Sequence, residues 1–291
     1  MRLKSWQADG ILLLVAISWG VTFALVQDAI EEIPVYTFLF WRFGFAFVLM
    51  AIVAWRHWAK LTKPTLYAAM LLGLFNFSAF AFQTYGLTLT LSSTVAFITG
   101  LNVIFIPFLA LMLFWRSVSR FAIIGAVIAV IGLWFLTGQG GFGLGLGELY
   151  TLICAVLFSL HILYTDRFVQ SHDVTLLVTI QFGVIALASL VTGFGIDGSI
   201  IPSSYSNSFL IALISTVLFA TVFAFWAQTS MQRFTTPAKT ALIFTMEPLS
   251  AAVFGYLYAG EMLTSLQLFG GGLMIAGVLY AELMTLKIGS K

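Results

Sequence analysis

The sequence predicts an all-α integral membrane protein of ten transmembrane helices, built as two inverted five-helix repeats with both termini cytoplasmic. Three observations carry this. Charged residues make up only 8% of the 291 residues against 61% apolar, where a soluble domain carries roughly a quarter charged. The basic residues fall after alternate apolar runs. The second half of the chain repeats the polar positions of the first.

So few charges could not cover the surface of a water-soluble globule, and the Leu, Ile, Val and Phe content excludes disorder. Lys63 and Arg116 bracket 52 residues without a formal charge. About 20 apolar residues cross a bilayer, so that stretch alone holds two spans. Apolar runs bounded by Gly, Pro or charge give ten candidates: 9–28, 34–55, 65–88, 92–114, 119–137, 147–168, 174–195, 206–230, 237–259 and 263–286. The first, with its apolar stretch from Gly10 to about Val26, lacks a small-residue cleavage site and reads as a retained span. The connections leave no room for a separate soluble domain.

Charge assigns the sides. Arg2 and Lys4 precede the first span; Arg56, Lys60 and Lys63 follow the second; Arg116 and Arg120 the fourth; and Arg167 the sixth. Arg233 and Lys239 follow the eighth span, and Lys287 and Lys291 the tenth. The opposite side carries Asp28, Glu31, Glu32, Glu148, Asp197 and Glu261. The positive-inside rule then places both termini in the cytoplasm. The basic balance is a topology signal and implies no nucleic-acid partner.

A shift of 145 aligns spans 3–5 with 8–10 without a gap, setting Phe80 on Phe225, Gln83 on Gln228, Gly125 on Gly270 and Gly132 on Gly277. A shift of 139 aligns spans 1–2 with 6–7. The repeats occupy 1–138 and 146–287. An odd number of spans per repeat forces the second to enter the membrane upside down, an architecture recurrent among transporters, with the solute held near the midplane.

The polar residues inside the spans fall on each other in this register: Arg42 on Gln181, Asn76 on Thr221, Gln83 on Gln228, Asn102 on Glu247 and Thr22 on His161. Polar groups in hydrocarbon face the bundle interior or a water-filled space. One polar cavity shared by both repeats is therefore expected. Interhelical hydrogen bonding is the competing role for each amide and hydroxyl. Asn76, Ala79 and Gln83 share one helix face, as do Thr221, Ala224 and Gln228.

Arg42 and Glu247 are the two formal charges deep in the spans. By the 1.5 Å rise per residue their depths, roughly 12 and 15 Å from opposite edges, differ by only a few ångström. They are either a static ion pair, if spans 2 and 9 are neighbours, or a site where Glu247 holds a proton or a substrate ammonium. His161, near the middle of span 6, is either a titrating group in the pathway or a neutral imidazole bonded to a neighbouring helix. Trp19, Phe80, Tyr85, Phe158, Tyr164 and Trp226 lie beside polar positions and either wall a pocket or pack generically. Pro34, Pro107, Pro237 and Pro248 are potential helix starts or kinks.

The glycine-rich run Gly138–Gly147 lacks Gly-Lys-Ser/Thr and is a connection, not a phosphate cradle. Gly125 and Gly132, like Gly271 and Gly277, suit close helix packing within the chain or between copies. The single Cys154 excludes an intramolecular disulfide, and no metal or cofactor motif is present.

The chain resembles the drug/metabolite transporter superfamily, in its ten-helix branch built from two EamA repeats. The motifs are Trp19-Gly20, Trp41-Arg42-Phe43, Gln83-Thr84-Tyr85 with Ser92-Ser93, Met246-Glu247-Pro248-Leu249, Gly260-Glu261, and Gly270-Gly271-Gly272 with Ala276-Gly277. One departure is Trp115-Arg116-Ser117, where the first repeat of many relatives has a glutamate matching Glu261; it points to an altered helix end. The resemblance implies transport, most often export, of amino acids or related metabolites. The expected protein is thus a multi-pass transporter of the bacterial inner membrane, moving a small organic solute by alternating access. Trp19, Asn76, Phe80, Gln83, Asn102, His161, Trp226 and Gln228 are the expected binding residues, with Arg42 and Glu247 as coupling or paired groups. The alternatives are an intramembrane enzyme acting on lipid, which would need clustered catalytic groups, and a channel, which would need a filter or ring of charges. Neither pattern is in the sequence, and no catalytic residue is expected.

Overall fold

The computed structural model describes residues 5–115, 117–137, 144–202, 204–231, 234 and 243–289, and every regular element among them is helical. In chain order these are α1 (Ser5–Ile30), α2 (Val35–Val53), α3 (Lys63–Leu87), α4 (Ser92–Thr99), α5 (Asn102–Phe114) and α6 (Arg120–Thr137). There follow α7 (Leu146–Phe168), α8 (Val174–Ile196), α9 (Asn207–Ser215), a π-helical stretch Thr216–Phe223, α10 (Ala224–Met231), α11 (Met246–Ala259) and α12 (Ser265–Gly289). Arg2, Lys4, Arg116, Arg233, Pro237, Lys239, Lys291 and the run 138–143 lie outside the described residues, as do residues 237–242 of the ninth predicted span.

Among the described residues seven stretches are long and apolar enough to cross a membrane: Gln7–Ile30, Val35–Val53, Lys63–Leu87, Ser92–Phe114, Leu146–Phe168, Val174–Ile196 and Asn207–Met231. Arg120–Leu136 and Ser265–Ala281 are apolar but shorter.

Local chemistry sets several ends. Thr62 caps α3 by accepting from the Thr65 amide, with Pro64 in the first turn, where its missing N–H costs nothing. Asp173 caps α8 through the amides of Thr175 and Leu176, and Ser206 caps α9 through Phe209. The fourth predicted span is broken at residues 100–101, between α4 and α5. Adding 145 to Gly100 gives Thr245, the residue that precedes α11. These interruptions do not coincide with the prolines: Pro107 sits inside α5, and Pro248 occupies the first turn of α11, where no intrahelical bond is lost.

The two halves interlock. α6 packs most extensively on α12, α2 on α8, α3 on α7 and α8, and α1 on α11 and α9. The α6–α12 crossing is a glycine seam. A Cβ on Gly125 would stand 2.4 Å from the Gly277 carbonyl oxygen, and one on Gly132 would stand 2.6 Å from that of Gly270. The seam is internal to the chain, and its partner to Gly277 is Gly270. Gly271 instead abuts the Phe97 ring. Partners also exchange in the repeat register: α5 against α7 corresponds to α11 against α1, while α2–α8 and α6–α12 each map onto themselves.

Hydrogen bonds tie the two ends of the bundle. At one end Thr37 N donates to Asp197 Oδ2 at 2.9 Å, Trp41 Nε1 to the Ile200 carbonyl at 2.8 Å, and Thr90 Oγ1 to Glu148 at 2.9 Å. We call this the acidic end. At the other, the basic end, His57 Nδ1 lies 2.9 Å from Asp173 Oδ2, with Lys60 Nζ at 3.9 Å, and Thr65 Oγ1 lies 3.0 Å from His172 Nδ1. Partial burial alone would raise the Asp173 carboxyl. The His57 hydrogen bond and the two capping amides outweigh it and hold the group below its ordinary value of 3.8.

Candidate functional site: a polar cavity between the repeats

α1, α2, α3, α7 and α10 converge with the broken α4–α5 and α11 around one cavity. Its volume, taken as the space open to the centre of a water molecule, is about 60 Å³, room for several waters. Irregular backbone at membrane depth is tolerated where it lines such a space. Asn102 and Glu247, in the first turns of α5 and α11, sit just past the two breaks and face the cavity. The Asn102 carbonyl, near its break, accepts from Ser159 Oγ at 2.9 Å.

Of the sequence-predicted residues, Trp19, Phe80, Gln83, Asn102, His161 and Gln228 line this cavity, together with Arg42 and Glu247. Two predicted binding residues do not. Asn76 is fully buried one layer behind, its Nδ2 3.0 Å from His161 Nε2 and 3.1 Å from Gln181 Oε1. It orients the wall and does not form it. Trp226 is 43% exposed on the bundle surface, whereas its neighbour Phe225 is buried and lines the cavity. Adjacent residues on a helix point about 100° apart, so only one of the two aromatics can face inward.

Arg42 approaches from α2. Its Nε donates to Thr221 Oγ1 at 2.9 Å, and its guanidinium carbon lies 5.1 and 4.8 Å from the ring centroids of Phe43 and Phe80. These rings offer their electron-rich faces to the cation. Among the described residues no ion pair within 4.0 Å joins Arg42 to Glu247. The direct pair that matching depths permitted does not form, because α11 packs on α1 and not on α2. Both charges instead open onto the same cavity.

His161 Nε2 lies 2.8 Å from Gln181 Oε1, and the tautomer carrying hydrogen there donates to that amide. The register mates form matching bonds: Arg42 to Thr221, and Asn76 to Gln181.

Sequence reasoning missed Phe225, Phe244, Thr84 and Thr99, all on the cavity wall. The register itself pairs Phe225 with Phe80, a signal that favoured it over Trp226. It also missed the π-helical stretch, where Trp19 Nε1 donates to the Ala220 carbonyl at 2.9 Å. π-Helical turns recur at functional sites. Among the described residues no three His, Cys, Asp or Glu side chains gather as metal ligands would.

The profile of the EamA-like transporter family matches residues 6–138 and 145–282. An uncharacterized transporter of Archaeoglobus fulgidus is 27% identical over 96% of this chain and 87% of its own length. The uncharacterized transporter YyaM of Bacillus subtilis is 26% identical over 94% and 92%, and YdfC of the same organism is 24% identical over 82% and 79%. A solved crystal structure superposes with a TM-score of 0.72 at 17% identity, covering 98% of this chain and 99% of that one, a likeness of fold alone.

Proposed function

Because the chain belongs to the EamA-like transporter family, we propose that it carries a small zwitterionic solute, an amino acid or close relative, through the central cavity by alternating access. The observation that supports this reading is the pair of buried opposite charges, Arg42 and Glu247, open to one cavity and unpaired with each other. Buried unpaired charges cost several kcal/mol each. A ligand with a carboxylate for Arg42 and an ammonium for Glu247 offsets both costs at once. Trp19, Phe80, Phe158, Phe225 and Phe244 offer apolar walls for its side chain. Gln83, Asn102 and Gln228 orient it by hydrogen bonding, and His161 is held in place by Gln181.

The exchange of packing partners in the repeat register fits two inverted repeats of five spans, residues 1–138 and 146–287, that rock about the cavity. In this reading the basic end is cytoplasmic, as are both termini, the protein resides in a bacterial inner membrane, and the net direction is export. Glu247 is the group that exchanges a proton or the substrate ammonium.

Uptake by proteoliposomes across a panel of amino acids and analogues tests the proposal. Phe225→Ala raises KM about tenfold or more, the loss of roughly 1.4 kcal/mol of aromatic contact, while Trp226→Ala leaves it unchanged. Glu247→Gln abolishes the pH dependence of flux; a wild-type pH profile in that variant removes the proton role. Flux of every zwitterion at the level of empty liposomes overturns the substrate class, and a continuous single-channel conductance overturns alternating access.

A further inference from the structure

We propose that Gln27 and Glu261 form a latch that closes the path between the central cavity and the acidic end of the bundle, and that its release opens that path. α3 ends at Leu87, the chain turns through Thr88–Leu91, and α4 begins at Ser92. Leu87 lines the central cavity. Thr88–Leu91 line a second, open hollow at the acidic end, bordered by Gln27, Glu148 and Gln267. The α3–α4 turn is therefore the partition between the two spaces.

Gln27, from α1, holds this partition with all of its amide. Its Nε2 donates to the carbonyls of Leu87 at 2.8 Å and Thr90 at 2.9 Å, and its Oε1 accepts from Ser92 N at 3.1 Å. Glu261, from the α11–α12 connection, grips the same turn from the other side. Its Oε1 accepts from Ser92 N at 2.8 Å, and its Oε2 accepts from Ser93 N at 3.2 Å and Ser93 Oγ at 2.5 Å. Bonds to a carboxylate are about twice as strong as neutral ones, and a negative charge suits the first turn of α4. Ser92 and Ser93 are fully buried beneath this carboxylate.

The surrounding backbone is shaped to deliver Glu261. Gly260 has φ +66°, a left-handed conformation in which glycine carries no penalty, and it reverses the chain after α11. At Gly255 a Cβ would stand 2.8 Å from Glu261 Oε2, so glycine leaves the carboxylate its seat. The latch also belongs to one end of the molecule by chemistry. In the repeat register Glu261 falls on Arg116, and Ser92-Ser93 on Pro237-Ala238. Arginine is no acceptor, and proline has no N–H to give.

This inference rests on the alternating-access reading of the cavity but not on the identity of the solute, so its test reads accessibility and not flux. In a Cys154→Ser background, Thr84→Cys places a reporter thiol on the cavity wall, and Tyr205→Cys, on an exposed residue of the α8–α9 connection, marks the acidic face. A membrane-impermeant maleimide is applied to each face of oriented vesicles. With the latch intact, the face that labels Tyr205→Cys leaves Thr84→Cys unreacted. Gln27→Ala combined with Glu261→Ala raises labelling of Thr84→Cys from that face at least about tenfold. The milder Gln27→Ala and Glu261→Gln, each tested alone, give intermediate rates and keep the test open if the double variant does not fold. Equal labelling rates with and without the latch substitutions overturn the proposal. Equal labelling of Thr84→Cys from both faces of the unaltered latch overturns the alternating-access reading beneath it.

Discussion

Replacing Thr221 with valine exchanges one hydroxyl for a methyl and leaves the shape of a fully buried side chain nearly unchanged. That hydroxyl is the acceptor for Arg42 Nε at 2.9 Å. The lost acceptor leaves a guanidinium N–H unsatisfied in a site 5% exposed. Hydrogen bonds to charged groups contribute about 1.5–3 kcal/mol. Cavity water recovers part of this, because Arg42 borders the cavity, and the net cost is about 2 kcal/mol. At roughly 2 °C per kcal/mol for a chain of this length, the melting midpoint falls by about 4 °C. Intrinsic tryptophan fluorescence during thermal unfolding in detergent measures it, with all variants at one scan rate. Thr216→Val is the matched control. Thr216 is equally buried on the same π-helical stretch, but its hydroxyl only bonds the Leu213 carbonyl of its own helix at 3.2 Å. That variant stays within about 1 °C of the parent, since such back-bonding does not favour the helix. Equal midpoints for the two variants would show that Thr221 does not anchor Arg42.

Gly270→Ala sets a Cβ 2.4 Å from the Leu136 amide nitrogen and 2.6 Å from the Gly132 carbonyl oxygen, forcing α6 and α12 apart. Overpacking of this kind costs about 1–3 kcal/mol. A fall of several degrees in the same melting assay is expected, against no change for Gly272→Ala, which meets nothing within 4 Å. At the basic end, Asp173 is held below its ordinary value of 3.8. Its ionised form therefore stabilises the fold above that value, and the contribution disappears as pH falls through the lowered value. The difference in midpoint between the parent and Asp173→Ala is constant near neutrality and closes in acid. A difference that instead widens on acidification contradicts the sign.

The polar residues of the cavity were legible because desolvation acts on each side chain separately. Arg42, Gln83, Asn102, His161, Gln228 and Glu247 stand out from apolar runs whatever their neighbours, and their coincidence in the repeat register pointed to one shared cavity. Trp226 illustrates where this reasoning ends. A tryptophan in hydrocarbon is equally comfortable facing lipid or a cavity, so composition cannot orient it, and helix phase turns Phe225 inward instead. Asn76 is polar and interior as expected, yet it serves the second layer, bonding Gln181 and lying against His161, which does line the cavity.

The helix breaks show a similar division. Proline is visible in a sequence, so Pro107 and Pro248 drew attention. The interruptions at Gly100–Leu101 and Thr245 fall at no proline. The glycine seam was visible as a spacing in α6, but whether it served this chain or a second copy was not.

By itself the sequence determined that this chain is a helical membrane protein whose buried polar positions recur in two registers. Both properties follow from transfer free energies that sum residue by residue. Only the tertiary structure decided that Arg42 and Glu247 face a common cavity without pairing, and that Glu261 reaches back to hold Ser92 and Ser93. Those relations depend on which helices are neighbours and at what rotation, and packing sets both across separations of up to 205 positions in the chain.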